Sequence, residues 1–190
     1  MTLLVVAIVI FFGIHLVPTM TGLRDRLIGR IGQSGYRVLF ALLSTASLVL
    51  LIFAFAKAPV VMVWSPPAWA RWVAIVLMLP AFIFLVAAYV PGKIKAKLKH
   101  PFLVALKTWA LAHLIANGDL ASMILFASFL AYAVYDRISL KHRQETSLIP
   151  IPASGPPLND VVAVALGTVL YLATLFWLHR LLIGVSPIPQ

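Results

Sequence analysis

Long apolar runs separated by short polar segments dominate the hydropathy pattern of this chain. A helix that crosses the hydrocarbon core of a bilayer needs about 20 predominantly apolar residues. Runs of this kind lie at residues 3–18, 36–56, 68–90, 102–117, 120–135 and 158–182. The pattern predicts an all-α, polytopic transmembrane bundle of about six spans, forming a single domain over residues 1–190. Five spans are expected instead if the short first run is only interfacial.

The composition also favours a membrane protein. Hydrophobic residues make up 63% of the chain and the mean hydropathy is +1.05, whereas a soluble domain is about 45–50% apolar. The absence of cysteine from the sequence excludes disulfides, thiolate metal sites, covalent c-type haem attachment and cysteine nucleophiles. Residues 1–4 contain no basic region and no small-residue cleavage pattern follows them, so we expect the first run to be an uncleaved span.

The net charge of +10 is concentrated between the apolar runs. Segments 19–35, 92–101 and 136–157 carry most of the lysine and arginine residues. By the positive-inside rule, these three loops are expected on the cytoplasmic side of a bacterial inner membrane, with both termini outside. Because this rule already accounts for the charge, we expect the lipid bilayer as a partner and no nucleic acid.

The fourth run carries an unusual number of polar side chains for an apolar helix. Pro101 can begin this helix, Gly118 can end it in a left-handed conformation, and Asp119 can cap the next helix. Trp109, His113 and Asn117 are spaced at i, i+4 and i+8, so they share one face. We expect this face to be a functional surface or a site of close helix packing.

Ionisable side chains inside a membrane span are costly unless they are paired or functional. His15 and His113 lie within predicted spans, so they are the first candidates for chemistry, although a packing or interfacial role is the alternative for each. Lys107 is expected to snorkel to the cytoplasmic side or to pair with Asp136. An ion pair is also expected between Asp136 and the adjacent Arg137.

The polar motifs of the fourth run resemble the signature of a known family. They read His100-Pro101, Trp109-Ala110-Leu111-Ala112-His113 and Asn117-Gly118-Asp119-Leu120-Ala121-Ser122. This pattern resembles the NnrU family of bacterial integral membrane proteins, and the resemblance extends from His15 to about Arg137. The family is associated with denitrification and nitric-oxide metabolism, and it is related to plant 15-cis-zeta-carotene isomerase, a membrane enzyme that uses haem b.

The resemblance implies a non-covalent haem b with two histidine ligands. His15 and His113 match the positions of the isomerase's haem ligands, so they are the expected metal ligands here. Ala110 stands where the isomerase has a cysteine implicated in ligand switching, so that switch is absent. Counted from Pro18 and Pro101, His15 and His113 differ in depth by roughly 14 Å, and His100 is therefore kept as a reserve ligand.

Arg37 and Lys107 are candidates for binding the haem propionates, since arginine can hold a carboxylate through two parallel bonds. Topology or contact with lipid phosphate is the alternative for Arg37. Trp109 and Asn117, which share the face of His113, complete the expected cofactor-binding set. No catalytic residue is assigned, because the sequence contains no His-Glu-x-x-His motif, no glycine-rich phosphate loop and no paired intramembrane carboxylates.

Three functions are compatible with these observations. In the first, the chain supports denitrification or nitric-oxide metabolism by sensing, electron transfer or reductase maturation. In the second, it is an enzyme, a haem-dependent cis-trans isomerase of a polyene such as 15-cis-zeta-carotene. In the third, it is a haem-free structural partner of a larger membrane complex. Besides the bilayer, the partners expected are nitric oxide, a hydrophobic small molecule or a redox partner.

Overall fold

The computed structural model describes residues 1–145 and 155–188, and these residues are mostly helical. The helices are α1 Thr2–Leu16, α2 Thr21–Ala56, α3 Ala68–Tyr89, α4 Lys93–Leu98, α5 Pro101–Ala116, α6 Leu120–Glu145, α7 Pro157–Ala173 and α8 His179–Ile183. A 3-10 turn at Val17–Thr19 joins α1 to α2, and a π-helical segment at Thr174–Leu178 joins α7 to α8. The predicted all-α fold is confirmed.

The predicted apolar runs coincide with α1, α2, α3, α5, α6 and the segment from α7 to α8. Among the described residues, five helical segments are long and apolar enough to cross a membrane. They are Thr2–Thr19, Thr21–Ala56, Ala68–Tyr89, Leu120–Gln144 and Pro157–Ile183. Helix α5 has 16 residues and is therefore about 24 Å long, which is short for a span.

The region between the first two runs differs from the expected loop. Helix α2 begins at Thr21, and only Gly32, with φ +74° and ψ 163°, departs from helical geometry within it. A non-glycine residue is strongly disfavoured in that conformation. Residues 21–31 form the first part of α2 because Leu23, Leu27 and Ile31 recur at helical spacing, although the charges among them lower the hydropathy.

The helices pack as neighbours in the order α7, α3, α5, α6, α1 and α2. Small residues occupy many of the contacts, and among the fully buried ones are Ala7, Ala70, Ala110, Ala112 and Ala133. Large apolar residues such as Leu42, Val49 and Val76 are instead more than 60% exposed. This distribution is typical of membrane helices, which pack backbone to backbone and present apolar side chains to lipid.

One end of the bundle is rich in basic residues, and we call it the basic end. Here α1 and α6 end while α5 and α7 begin, and the end contains Lys95, Lys99, Arg137 and Arg143. The Asp160 carboxylate of α7 accepts hydrogen bonds from the backbone N–H groups of Lys93 and Ile94, at 3.0 and 2.9 Å. The Arg143 guanidinium of α6 donates to the Pro18 carbonyl at 3.4 Å. The first contact ties α4 to α7, and the second ties α6 to the turn that follows α1.

The opposite end, which we call the far end, consists of residues 57–67, residues 117–119 and α8. The N–H groups of Val63 and Trp64 donate to the Gly118 carbonyl at 2.9 and 3.2 Å, and the Leu120 N–H donates to the Val61 carbonyl at 2.8 Å. The two loops are therefore joined by backbone hydrogen bonds.

The predicted role of Gly118 was wrong, whereas that of Asp119 is confirmed. Among the described residues, only Gly32 and Gly184 are glycines with positive φ. Gly118 is needed for another reason, because a Cβ atom there would collide with the Trp64 carbonyl. The Asp119 carboxylate accepts a hydrogen bond from the Ser122 N–H at 2.9 Å, as an N-cap does.

Candidate functional site

A cavity of about 460 Å³ opens at the basic end and is lined by α1, α3, α4, α5, α6 and the α4–α5 connection. Its apolar lining includes Phe11, Phe102, Leu103, Leu106, Phe129 and Leu140, and its polar lining consists of His15, Lys95, Lys99, His100, Tyr132 and Asp136. Small-molecule sites usually measure about 300–1,000 Å³ and combine apolar walls with a few polar groups. The cavity therefore fits an amphipathic ligand with an apolar body and a polar end.

His15 is held in the cavity wall by α1 and α6. Its Nδ1 lies 2.7 Å from the Phe11 carbonyl oxygen, and its ring stacks on Phe11 with centroids 4.1 Å apart. The Tyr132 hydroxyl of α6 donates to the His15 carbonyl at 3.3 Å. Since a carbonyl only accepts, Nδ1 carries the hydrogen, and Nε2 has a lone pair in the neutral ring. Metal-binding histidines typically have this arrangement.

His100 lines the same cavity from the start of α5. Its Nε2 atom is buried and has no hydrogen-bond partner within the described part of the chain. The preceding residue, Lys99, has φ +63° and ψ −50°, which is uncommon for a residue with a Cβ atom. Backbone strain of this kind clusters at functional sites, so the strain supports a role for the Lys99-His100 pair.

Burial lowers the pKa of His100 below its ordinary value of 6.5. The nearby Arg137 and Arg143 also lower this pKa, while the Gln144 side chain and the Asp136 carboxylate raise it and offset part of the effect. A histidine with a lowered pKa is neutral at pH 7, and a neutral imidazole is the form that binds metals.

His113 lies elsewhere in the bundle, towards the far end. Its Nδ1 is 2.8 Å from the Trp109 carbonyl oxygen, and its ring centroid is 4.6 Å from that of Phe126. His15 contacts α6 at Tyr132, six residues later than Phe126, which corresponds to about 9 Å of helix rise. The structure does not bring His15 and His113 together, but it does bring His15 and His100 to one cavity.

The other expected cofactor-binding residues are dispersed. Arg37 is exposed on α2, and Lys107 is half-buried on α5. The Trp109 ring contacts Phe126 and Phe129 of α6. The Asn117 side chain donates to the His113 carbonyl at 2.8 Å, so it closes the last turn of α5. None of these four residues lines the cavity at the basic end.

The expected ion pairs of Asp136 with Arg137 or Lys107 were wrong. Asp136 instead pairs with Arg143 at 3.3 Å, and both side chains are 16% exposed. Residues seven positions apart lie on the same face of α6, whereas adjacent residues point in different directions. The pair lies beside the cavity and compensates charge in a region of low exposure.

Several residues around these sites were not singled out from the sequence. Tyr132, Lys95 and Lys99 line the cavity, and the ring of His179 faces that of His113. The two lysines did have a sequence signal, because they lie in a basic segment directly before an apolar run that contains a histidine. Tyr132 had no such signal, because its contact with His15 depends on the packing of α1 against α6.

A family model described as NnrU protein matches residues 3–187 of this chain. No curated protein and no solved structure matches it.

Proposed function

We propose a function from the premise that this chain belongs to the NnrU protein family. In this proposal it is a haem-b-binding membrane protein that supports denitrification or nitric-oxide metabolism by sensing, electron transfer or reductase maturation. The observation that carries the proposal is the cavity at the basic end, where His15 and His100 line one apolar space. Each has an Nε2 atom without a hydrogen bond inside the described chain.

The residues of this cavity fit a haem. His15 and His100 would hold the iron, and the phenylalanine and leucine side chains would contact the porphyrin. Lys95 and Lys99 lie on the same cavity and would bind the propionates as cations. When bound, haem b would supply an iron atom that changes oxidation state, and with two histidine ligands a small gas could bind it only after one histidine dissociates.

The chain's own groups have separate tasks in this proposal. The Phe11 carbonyl orients the His15 ring through Nδ1, and the neutral state of His100 keeps its Nε2 lone pair available. The Asp136–Arg143 pair prevents an isolated charge from remaining beside the apolar walls. The resemblance suggested His113 as the second ligand, whereas the shared cavity favours His100.

We further propose that the basic end faces the cytoplasm of a bacterial cell. The three basic segments adjoin this one end of the bundle, while α1 begins and α8 ends at the other. Under the positive-inside rule this arrangement supports an inner-membrane orientation with both termini outside.

The test is a visible absorption spectrum of the detergent-purified protein, oxidised and dithionite-reduced, after expression with full haem supply. We expect sharp α and β bands in the reduced wild type that collapse in His15→Ala and in His100→Ala. His113→Ala is expected to retain them, as is His142→Ala, a control at an exposed histidine of the same end.

Two results would contradict this proposal in different ways. Wild-type protein without haem would exclude the cofactor. Bands that disappear in His15→Ala and His113→Ala but persist in His100→Ala would keep the haem and reject the ligand pair proposed here.

A further inference from the structure

Residues 21–31, the first part of α2, form a helix with a direction of its own, and we call them the surface helix. Gly32, with φ +74° and ψ 163°, interrupts α2 directly after them. The guanidinium carbon of Arg24 lies 6.0 Å from the centre of the Tyr36 ring. In a straight helix, positions 24 and 36 would lie about 18 Å apart along the axis. The contact therefore indicates that the chain bends at Gly32.

The length of α2 places the surface helix at the level of the lipid headgroups. Residues 33–56 alone extend about 36 Å, which already exceeds the hydrocarbon core of about 30 Å. The turn at Val17–Thr19 precedes the surface helix. Phe40 follows it and contacts the ring of His15 at the basic end. The surface helix therefore connects two spans along one face of the membrane and does not cross it.

The surface helix is amphipathic. Leu23, Leu27 and Ile31 recur every four residues, so they form one stripe. Leu23 and Ile31 are 41% and 44% exposed. Gly22 and Gly29 are seven positions apart, which places them together on the opposite side, and both are exposed. A helix of this kind lies in the plane of the interface with its apolar stripe turned towards the acyl chains.

Two arginines lie at the border of the apolar stripe. Arg26 and Arg30 are exposed and four positions apart, so their Cβ atoms are about 5–6 Å from each other. The acidic residue of the segment, Asp25, instead pairs with Arg24 at 3.3 Å. Within the described part of the chain, Arg26 and Arg30 therefore have no carboxylate that compensates their charge.

From this arrangement we propose that the surface helix binds the headgroup of an anionic phospholipid. Arg26 and Arg30 hold the phosphate, since a guanidinium can donate two parallel hydrogen bonds to it. Leu23 and Ile31 contact the upper part of the acyl chains, while the arginine stems lie along them and extend their charged ends to the headgroup. The site is separate from the cavity proposed for haem, which none of these residues lines.

The first test titrates the full-length protein in neutral detergent with phosphatidylglycerol, or with phosphatidylcholine as the uncharged comparison, and counts bound lipid by native mass spectrometry. We expect the wild type to prefer phosphatidylglycerol. A basic residue near an anionic surface contributes about fivefold to binding, so Arg26→Gln/Arg30→Gln should weaken the tightest phosphatidylglycerol site by about 25-fold. Phosphatidylcholine binding should not change.

The matched control is Lys57→Gln/Arg71→Gln, which removes two exposed cations near the far end and should retain the affinity of the tightest site. Inorganic phosphate at the same concentration as the lipid should not displace phosphatidylglycerol, because it has no acyl chain to contact the apolar stripe.

A second measurement locates the surface helix without removing an arginine. The sequence contains no cysteine, so a single introduced cysteine can carry a nitroxide label in lipid nanodiscs. Labels at Leu23→Cys and Ile31→Cys should collide mainly with oxygen dissolved in the bilayer. Labels at Gly22→Cys and Gly29→Cys, where an added Cβ meets nothing within 4 Å, should collide mainly with an aqueous nickel chelate.

Four outcomes would overturn the lipid site. They are equal affinity of the wild type for the two lipids, unchanged affinity in Arg26→Gln/Arg30→Gln, displacement of the lipid by inorganic phosphate, and aqueous exposure of all four labels. The haem proposal has a different readout, the visible bands in His15→Ala and His100→Ala, so either proposal can fail without the other.

Discussion

The two ends of the bundle each contain a pair of histidines, but they surround them differently. At the basic end, His15 and His100 line a cavity together with lysines, an aspartate and a tyrosine. At the far end, the rings of His113 and His179 face each other among aromatic side chains. The first environment has room and charge for an anionic, flat ligand. The second holds two imidazole rings with nearly parallel planes, whose centroids are 6.5 Å apart.

The connections at the two ends also differ in kind. The far end is joined by backbone hydrogen bonds between the loop at 57–67 and the Gly118 turn. The basic end is joined by side chains, through the Asp160 carboxylate of α7, which binds α4, and the Arg143 guanidinium of α6, which binds the Pro18 carbonyl. Backbone contacts of this closeness tolerate no added atom, whereas side-chain contacts can be removed one at a time. We therefore expect substitution at the far end to lower the free energy of unfolding most, and substitutions at the basic end to lower it by smaller amounts.

Gly118→Ala should have the largest effect, a loss of about 3 kcal/mol in the free energy of unfolding, since overpacking typically costs 1–3 kcal/mol and occasionally more. The added Cβ would meet the Trp64 carbonyl and the Pro66 ring, and this backbone cannot move without losing its hydrogen bonds to Gly118. Unfolding in mixed micelles, followed by tryptophan fluorescence, measures the change.

Gly13→Ala is the matched control, because a Cβ atom there meets nothing within 4 Å. It should leave the midpoint of unfolding unchanged or raise it slightly, since alanine favours the helix. Equal effects of the two substitutions would contradict the description of the far end as a closely packed backbone junction.

Asp136→Asn at the basic end should cost an intermediate amount, about 2 kcal/mol in haem-free protein, because a hydrogen bond to a charged group contributes roughly 1.5–3 kcal/mol. The substitution leaves the Arg143 guanidinium, which is 16% exposed, without its carboxylate.

The control for this substitution is Asp25→Asn, which removes an exposed ion pair with Arg24 at the same 3.3 Å distance. Exposed pairs contribute little to stability, so no change is expected. The loss of unfolding free energy caused by Asp136→Asn should be nearly the same with and without about 0.5 M added salt, because salt screens partly buried pairs poorly. A strong salt dependence would show that the pair is solvated.

Asp160→Ala should have the smallest effect, about 1 kcal/mol, which is typical for loss of a helix cap. Its carboxylate caps α4 from a distant part of the chain. Hydrogen exchange should accelerate at the amides of Lys93 and Ile94 and change little in α5. Asp160→Asn retains one acceptor oxygen and should lie between the wild type and Asp160→Ala, whereas equal exchange in all three proteins would rule out the cap.

The sequence sufficed for features that depend on local signals. The fourth apolar run was predicted at residues 102–117 and forms α5 at Pro101–Ala116, because proline at the start and the Asn-Gly-Asp turn at the end are readable without tertiary structure. The resemblance to the NnrU family came from the same residues. Helix counting also indicated that His15 and His113 lie at different depths.

Features that depend on distant residues were missed. Helix α4 has only 6 residues and is capped by Asp160, which lies 66 residues from Ile94 in the chain, so no local pattern revealed it. The helical start of α2 was hidden by its charges. The pairing of His113 with His179 requires α7, α3 and α5 to pack in that order, although both residues lie near helix ends that point to the same side.

The exposed leucines and valines on the outer faces of α2 and α3 have a consequence for any measurement on this protein. In water, burying such surface is worth about 25 cal/mol per Å², but here it is covered by amphiphile in the folded protein. Detergent or lipid therefore acts as the solvent. A measured free energy of unfolding is then a property of the protein together with its amphiphile, and its value depends on both. Variants should be compared within one micelle composition, since changing the amphiphile replaces the medium that covers most of the surface.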